Sequence, residues 1–111
     1  MLGVQNIGSV SVIKARSSLV GECVDHCRQA VMDALGQRRN NLVLDLAESP
    51  IVNSQGLEFI VDAQEECLGR GGKLVILDPT PVCSEVLEIT GIADYVAVFS
   101  DLRAALSDFA K

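Results

Sequence analysis

The sequence predicts an α/β fold: a mixed, largely parallel sheet of four to five strands alternating with four helices. Three observations predict it. Short apolar runs suited to buried strands recur at 42–46, 74–77 and 95–99. Stretches with helical spacing separate them, and alternation at these lengths implies crossover connections between parallel strands. The 111 residues make one domain's worth of chain, and 49% are hydrophobic, enough for a core without disulfides or a metal.

Residues 4–14, VQNIGSVSVIK, hold two short strand-like pieces around Gly8. Val10 and Val12 alternate with Ser9 and Ser11, a mixed period-two signal that a hairpin and one bent strand both satisfy. Ala15 to Ser18 is small and polar and reads as a loop, with Ser17 or Ser18 placed to cap the next helix. That helix covers 20–35, with Val20, Val24, Cys27, Val31 and Leu35 as its apolar stripe. Gly36 is placed as its C-cap, and Arg38 and Arg39 read as a solvated pair beside the negative helix end.

The strand at 42–46 ends at Glu48, Ser49 and Pro50, because Pro50 has no N–H for a ladder and restricts Ser49 to extended backbone. Asn53 and Ser54 suit a helix N-terminus, where a side-chain oxygen accepts from the first unpaired amides. The helix runs from about 54 to 68, with Leu57, Ile60, Val61 and Leu68 inward and Glu58, Asp62, Glu65 and Glu66 on an acidic outer face. Gly69, Gly71 and Gly72 end it. They follow a helix and precede a strand, the reverse of the order that glycine-rich phosphate loops need. Ser54 is thus displayed at the positive end of a helix just beyond a strand. Open α/β sheets place ligands and chemistry at such points, so residues 42–61 organise the chain.

Residues 74–77, LVIL, read as a strand covered on both faces. Asp78 to Pro81 form a turn, with Pro81 at a first helical position. Val82, Val86, Leu87 and Ile89 supply the buried side of that helix, and Gly91 ends it. Residues 95–99, YVAVF, are the last strand. Ser100 and Asp101 open a final helix with Leu102, Ala105, Leu106 and Phe109 at i, i+3, i+4 and i+7.

Charge narrows the function classes. The formal net charge of −6 opposes binding to nucleic acid and to an anionic membrane, and favours a neutral or basic protein partner. No run of ~18 apolar residues predicts a membrane span, and no basic segment followed by an apolar one predicts a signal peptide. Cys23, Cys27, Cys67 and Cys83 form no C-x-x-C pair and read as small apolar residues of a reduced, cytoplasmic core. Cys23 and Cys27 are four apart with His26 beside them, yet no further ligands follow at a matching spacing, so no metal or other cofactor is expected. Asp45 and Asp78 end neighbouring strands and read as loop caps. With a single His and no nucleophile–base pair, the chain reads as a non-enzyme.

The segment LVLDLAESPIVNSQGLEFIV resembles the STAS domain, specifically the bacterial anti-sigma factor antagonists. The shared features are an apolar strand ending in Asp, a loop with an apolar pair, and a helix opened here by Asn53, Ser54, Gln55, Gly56 and Leu57. Downstream, Gly71 to Val75, Pro81 and Val86 to Ile92 fit the same pattern, and the likeness covers 41–110 in order. Asn53 stands where the family has Asp, Gln55 replaces a second small residue, and Ala15 to Val20 lack the family's Gly-x-Leu-Asp turn. The resemblance implies one STAS domain over 1–111 that works as a switch. Ser54 would be the phosphorylation site. Asn53, Ser54, Gln55, Gly56 and Leu57, with Ser17 and Ser18 in the loop before the first helix, would form the partner surface. The implied partner is an anti-sigma factor that is also a serine-protein kinase, bound by the unphosphorylated form, with a phosphatase restoring that form. A second implied role is a STAS subunit of a lipid or anion transport system docked on its ATPase. Gly56 has two readings from its size: close helix–strand packing, and an unobstructed Ser54.

Overall fold

The structure is a computed structural model that describes residues 2–110; both ends of the predicted 1–111 domain lie just outside them. The elements run β1 (Leu2–Ile7), β2 (Val10–Ala15), α1 (Gly21–Gly36), β3 (Asn41–Asp45), α2 (Ser54–Gly69), β4 (Lys73–Leu77), α3 (Pro81–Ile89), α4 (Ile92–Tyr95), β5 (Val98–Phe99) and α5 (Leu102–Phe109). The strands form one sheet in the order β1-β2-β3-β4-β5. β1 and β2 are antiparallel, and every later pair is parallel. The hairpin is therefore the correct choice at the N-terminus. Gly8 turns it at φ +59°, a left-handed backbone that glycine adopts without a Cβ penalty.

Side-chain alternation along the buried strands builds two cores. Ile13, Ala15, Leu42, Leu44, Leu74 and Ile76 face one side, where they meet Val24, Cys27 and Val31 of α1, Phe59, Ile60 and Ala63 of α2, and Leu87 of α3. Val10, Val12, Val43, Val75 and Leu77 face the other side, where Leu102, Ala105, Leu106 and Phe109 of α5 cover them. The run LVIL shows no polar alternation because both of its faces are covered. Lys73 pins α5 by an ion pair with Asp108 and by sitting 5.5 Å from the centre of the Phe109 ring. Gln64 is buried with its amide satisfied at both ends: Leu74 N–H donates to Oε1 at 2.7 Å, and Nε2 donates to the Tyr95 carbonyl at 3.0 Å.

The structure corrects several sequence expectations. Among the described residues there are five helices, because residues 95–99 are not one strand. Gly91, at φ +81°, turns the chain into α4, Val96 N–H bonds back to the Ile92 carbonyl, and only Val98 and Phe99 join the sheet. Neither Ser17 nor Ser18 caps α1. Its N-cap is Val20, which makes no side-chain cap bond. Gly36 is the last residue of α1 rather than its cap, and the left-handed position falls on Arg38 at φ +60°. Arg39 is no solvated charge: it donates to Ser11 Oγ at 2.8 Å and to the carbonyls of Gly8 at 2.7 Å and Val10 at 3.0 Å, tying the hairpin tip to the end of α1. Leu68, Val82 and Ile89 are 48%, 57% and 77% exposed, so they leave the predicted core, and Cys83 takes the inward place on α3. Gly72 has a packing role: a Cβ there would come within 2.0 Å of the Asn40 carbonyl oxygen.

Ile60 is fully buried at the centre of the α2 interface, and a carboxylate there would be stranded without a partner. Ile60→Asp is expected to unfold the chain, and Ile60→Ala to cost about 2–5 kcal/mol. Urea denaturation followed by circular dichroism measures both; a wild-type midpoint for either would mean that α2 packs through another face.

Candidate functional site

Because β2, β3 and β4 are parallel, the loops that follow them emerge at one end of the sheet. These are residues 16–20, 46–53 and 78–80. The first two run side by side. Leu19 N–H donates to the Ile51 carbonyl at 2.9 Å, and Leu19 and Val52 form an isolated parallel bridge. Ser49, fully buried, laces all three loops. Its hydroxyl donates to the Ser17 carbonyl at 2.6 Å, and its own carbonyl accepts from Thr80 Oγ1 at 3.1 Å and Cys83 Sγ at 3.2 Å. Sequence reading took Ser49 for a strand breaker. The available signal was a serine held extended before a proline, with two backbone groups and a hydroxyl to satisfy.

The structure brings the sequence-predicted site residues together. Asn53 is the N-cap of α2, and its Oδ1 accepts from Gly56 N–H at 2.9 Å. Ser54 is the first helical residue. Asn53, Ser54 and Gln55 are exposed, Leu57 is half-buried, and Gly56 is buried. Gly56 explains how the two loops join: a Cβ there would lie 2.4 Å from the Leu19 carbonyl oxygen and 2.8 Å from Val52 Cγ2. The close packing predicted for Gly56 is therefore real, but its partner is the loop before α1 rather than a strand. Through this contact Ser17 and Ser18 share one end of the molecule with Ser54. Ile51 on the 46–53 loop and Val82 in the first turn of α3 stand exposed at this end of the sheet and give it apolar character that the sequence did not reveal.

The electrostatics favour an anion at Ser54. No acidic residue lies in the first turn of α2, so the positive end of its dipole is uncompensated. Nearby, Glu48 pairs with Lys14 at 2.9 Å. The hydrogen bond and charge of Lys14 hold the Glu48 carboxyl below its usual range, and Glu48 in turn raises Lys14. Asp45, at the end of β3, accepts from Ala47 N–H at 3.0 Å, the loop-capping role expected of it. Asp78 takes a left-handed backbone, φ +50°, as its N–H donates to the Phe99 carbonyl at 2.7 Å.

All four cysteines are free and buried. Burial, reinforced by Cys23, pushes the Cys27 thiol up to about 12, and burial pushes Cys67 up to about 11. Both stay protonated at neutral pH and serve as packing groups. Among the described residues no group of three or more His, Cys, Asp or Glu side chains is placed to hold a metal ion, and no helix is long and apolar enough to cross a membrane.

The architecture and the laced loops define a small α/β domain that presents a helix N-terminus and two flanking loops at one end of its sheet. The STAS domain family model matches residues 2–105, and the chain belongs to that family. No curated protein matches it in sequence. Among solved structures, a candidate anti-sigma factor antagonist of Thermotoga maritima superposes with a TM-score of 0.92 at 19% identity, over 99% of this chain and 95% of that one. The anti-sigma factor antagonist SpoIIAA in its unphosphorylated form gives 0.84 at 15% identity, over 97% and 95%. The Bacillus cell fate determinant SpoIIAA in its phosphorylated form gives 0.77 at 15%, over 97% and 98%. The murine anion transporter Slc26a9 gives 0.78 at 17%, over 96% of this chain but only 18% of the transporter. At these identities the likeness is one of fold.

Two outcomes test the site's construction. Gly56→Ala is expected to cost about 1–3 kcal/mol, because the new methyl group overpacks against backbone that cannot yield; a stability gain in urea titration would show that the two loops are not in contact. The cysteines are expected to react with iodoacetamide only as the protein unfolds. Labelling of Cys27 or Cys67 in the native state would contradict their burial.

Proposed function

We propose that this chain is an anti-sigma factor antagonist controlled at Ser54. In this reading the unphosphorylated form binds an anti-sigma factor that is also a serine-protein kinase, and so releases a sigma factor for transcription. The contact surface is Asn53, Ser54, Gln55, Gly56 and Leu57 with Ser17 and Ser18. Phosphorylation of Ser54 by that kinase ends the complex, a phosphatase restores it, and the exchange takes place in the cytoplasm. The chain itself performs no catalysis.

The observation that carries this reading is the exposed Ser54 hydroxyl at the first position of α2, on a surface fixed by the contact of Gly56 with Leu19. A phosphoryl group there adds roughly −1.5 to −2 charges. The helix dipole favours that by about 0.3–1 kcal/mol, so the fold is preserved. Across a complementary interface a like charge costs several kcal/mol, which suffices to dissociate the partner. That SpoIIAA has been solved in unphosphorylated and phosphorylated forms, both of this fold, supports a switch that acts through the surface.

The test is a pull-down from the source cells with peptide mass spectrometry, followed by titration of the captured kinase. Phosphate on Ser54 and a kinase partner are expected. Ser54→Asp is expected to weaken binding about 100-fold, or ~2.7 kcal/mol, with melting unchanged, while Ser54→Ala binds and cannot be switched off. An unmodified Ser54 recovered with a transporter ATPase would replace this reading with that of a transport subunit.

A further inference from the structure

β1 is an edge strand of unusual openness. It ends the sheet, and its outer side pairs with nothing among the described residues. Natural edges are guarded by charge, proline, bulges or shortness. The opposite edge, β5, is guarded by its length of two residues. β1 has six residues, LGVQNI, with no charge and no proline, and its register with β2 runs unbroken from Leu2↔Ala15 to Ile7↔Val10.

The register fixes which backbone groups are free. Gly8 and Ser9 make a two-residue turn, so Ile7 and Val10 exchange both of their hydrogen bonds. Alternation then turns Gly3 and Gln5 toward β2 and points the N–H and C=O groups of Leu2, Val4 and Asn6 outward. Val4 lies midway between Leu2 and Asn6 and is 55% exposed. The side chains of Leu2, Val4 and Asn6 form the floor of an open groove of about 420 Å³, walled by Ala30 and Ala34 of α1 and rimmed by His26 and Asp33.

We propose that β1 pairs antiparallel with β1 of a second copy of this chain about a two-fold axis at Val4, joining two five-stranded sheets into one. The strand is self-complementary for this. With Val4 opposite the partner's Val4, Leu2 falls opposite the partner's Asn6, and every outward N–H meets an outward C=O. All of these residues are uncharged, so the pairing places no like charges in register, although each copy carries a net charge of −6. The two exposed valines meet on the axis and remove each other from water, as an isologous contact requires. This inference does not depend on the reading of Ser54, which sits at the end of the sheet rather than at its edge.

Sedimentation velocity at increasing concentration tests it, with hydrogen exchange read in parallel. By about 1 mM the wild-type protein is expected at twice the 11.8 kDa chain mass, with the amides of Val4 and Asn6 protected in proportion to the dimer. Val4→Lys sets two ammonium groups against each other on the axis and is expected to weaken the dimer at least 100-fold while leaving the melt unchanged. A wild-type protein that stays monomeric at 1 mM with fast exchange at Val4 overturns the proposal, as does a dimer indifferent to Val4→Lys. Protection of Val4 in a complex of any other mass would overturn it too, by assigning the edge to a different chain.

Discussion

Ser49 is buried where three loops meet, and each of its polar groups is used. Its N–H donates to the Leu46 carbonyl at 3.1 Å, its hydroxyl to Ser17, and its carbonyl receives Thr80 and Cys83. Pro50 follows, so the next residue has no N–H to satisfy at this crowded point. Loops after parallel strands have no ladder of their own to hold them. Here Ser49 links its own loop to both of the others, beside the Leu19–Ile51 bond, and leaving any of its buried groups unpaired would cost about 1–3 kcal/mol. The bridge between Leu19 and Val52 and the seating of Gly56 on Leu19 both lie next to this knot. The position of Ser54 relative to Ser17 and Ser18 is therefore set through Ser49, Leu19, Val52 and Gly56.

What could be read from the sequence followed from periodicity and from residues with one dominant role. The strands at 42–46 and 74–77 were plain because fully buried parallel strands are continuous apolar runs. Asn53 was legible as a cap because a helix N-terminus needs an acceptor there. α3 was misread because it is apolar on nearly every side. Val86 and Leu87 do pack inward as expected, but Val82 and Ile89 continue the same apolar pattern, and only the tertiary structure shows that they face out and Cys83 faces in. Residues 95–99 failed for a related reason: a short apolar run fits one helical turn, a plug such as Val96 or a strand equally well. Arg39 and Ser49 were misread because their partners lie about thirty residues away, beyond any local pattern.

The same geometry explains how Asn53 in place of an acid can preserve the site. The cap requires an oxygen acceptor, and Asn53 Oδ1 supplies it to Gly56 N–H. What changes is charge. An aspartate beside a phosphorylated Ser54 would repel it by about 1 kcal/mol per unit charge at 4 Å in water, and an asparagine does not. The neutral cap thus leaves the helix N-terminus more hospitable to a phosphoryl group.

Parallel topology separates the two surfaces of this molecule. The strand ends gather the loops around Ser54, and the first strand, antiparallel to its neighbour, lies at the side of the sheet. In the proposed switch, a partner at the loop end would be held by side chains and helix-terminal amides, and its affinity would follow the charge at Ser54. A partner at β1 is held by backbone hydrogen bonds, which a phosphoryl group at the far end of α2 does not alter. Binding at one surface therefore neither requires nor forbids binding at the other. If the β1 edge does pair, the joined sheet carries two Ser54 surfaces related by the same two-fold axis, each able to be modified on its own.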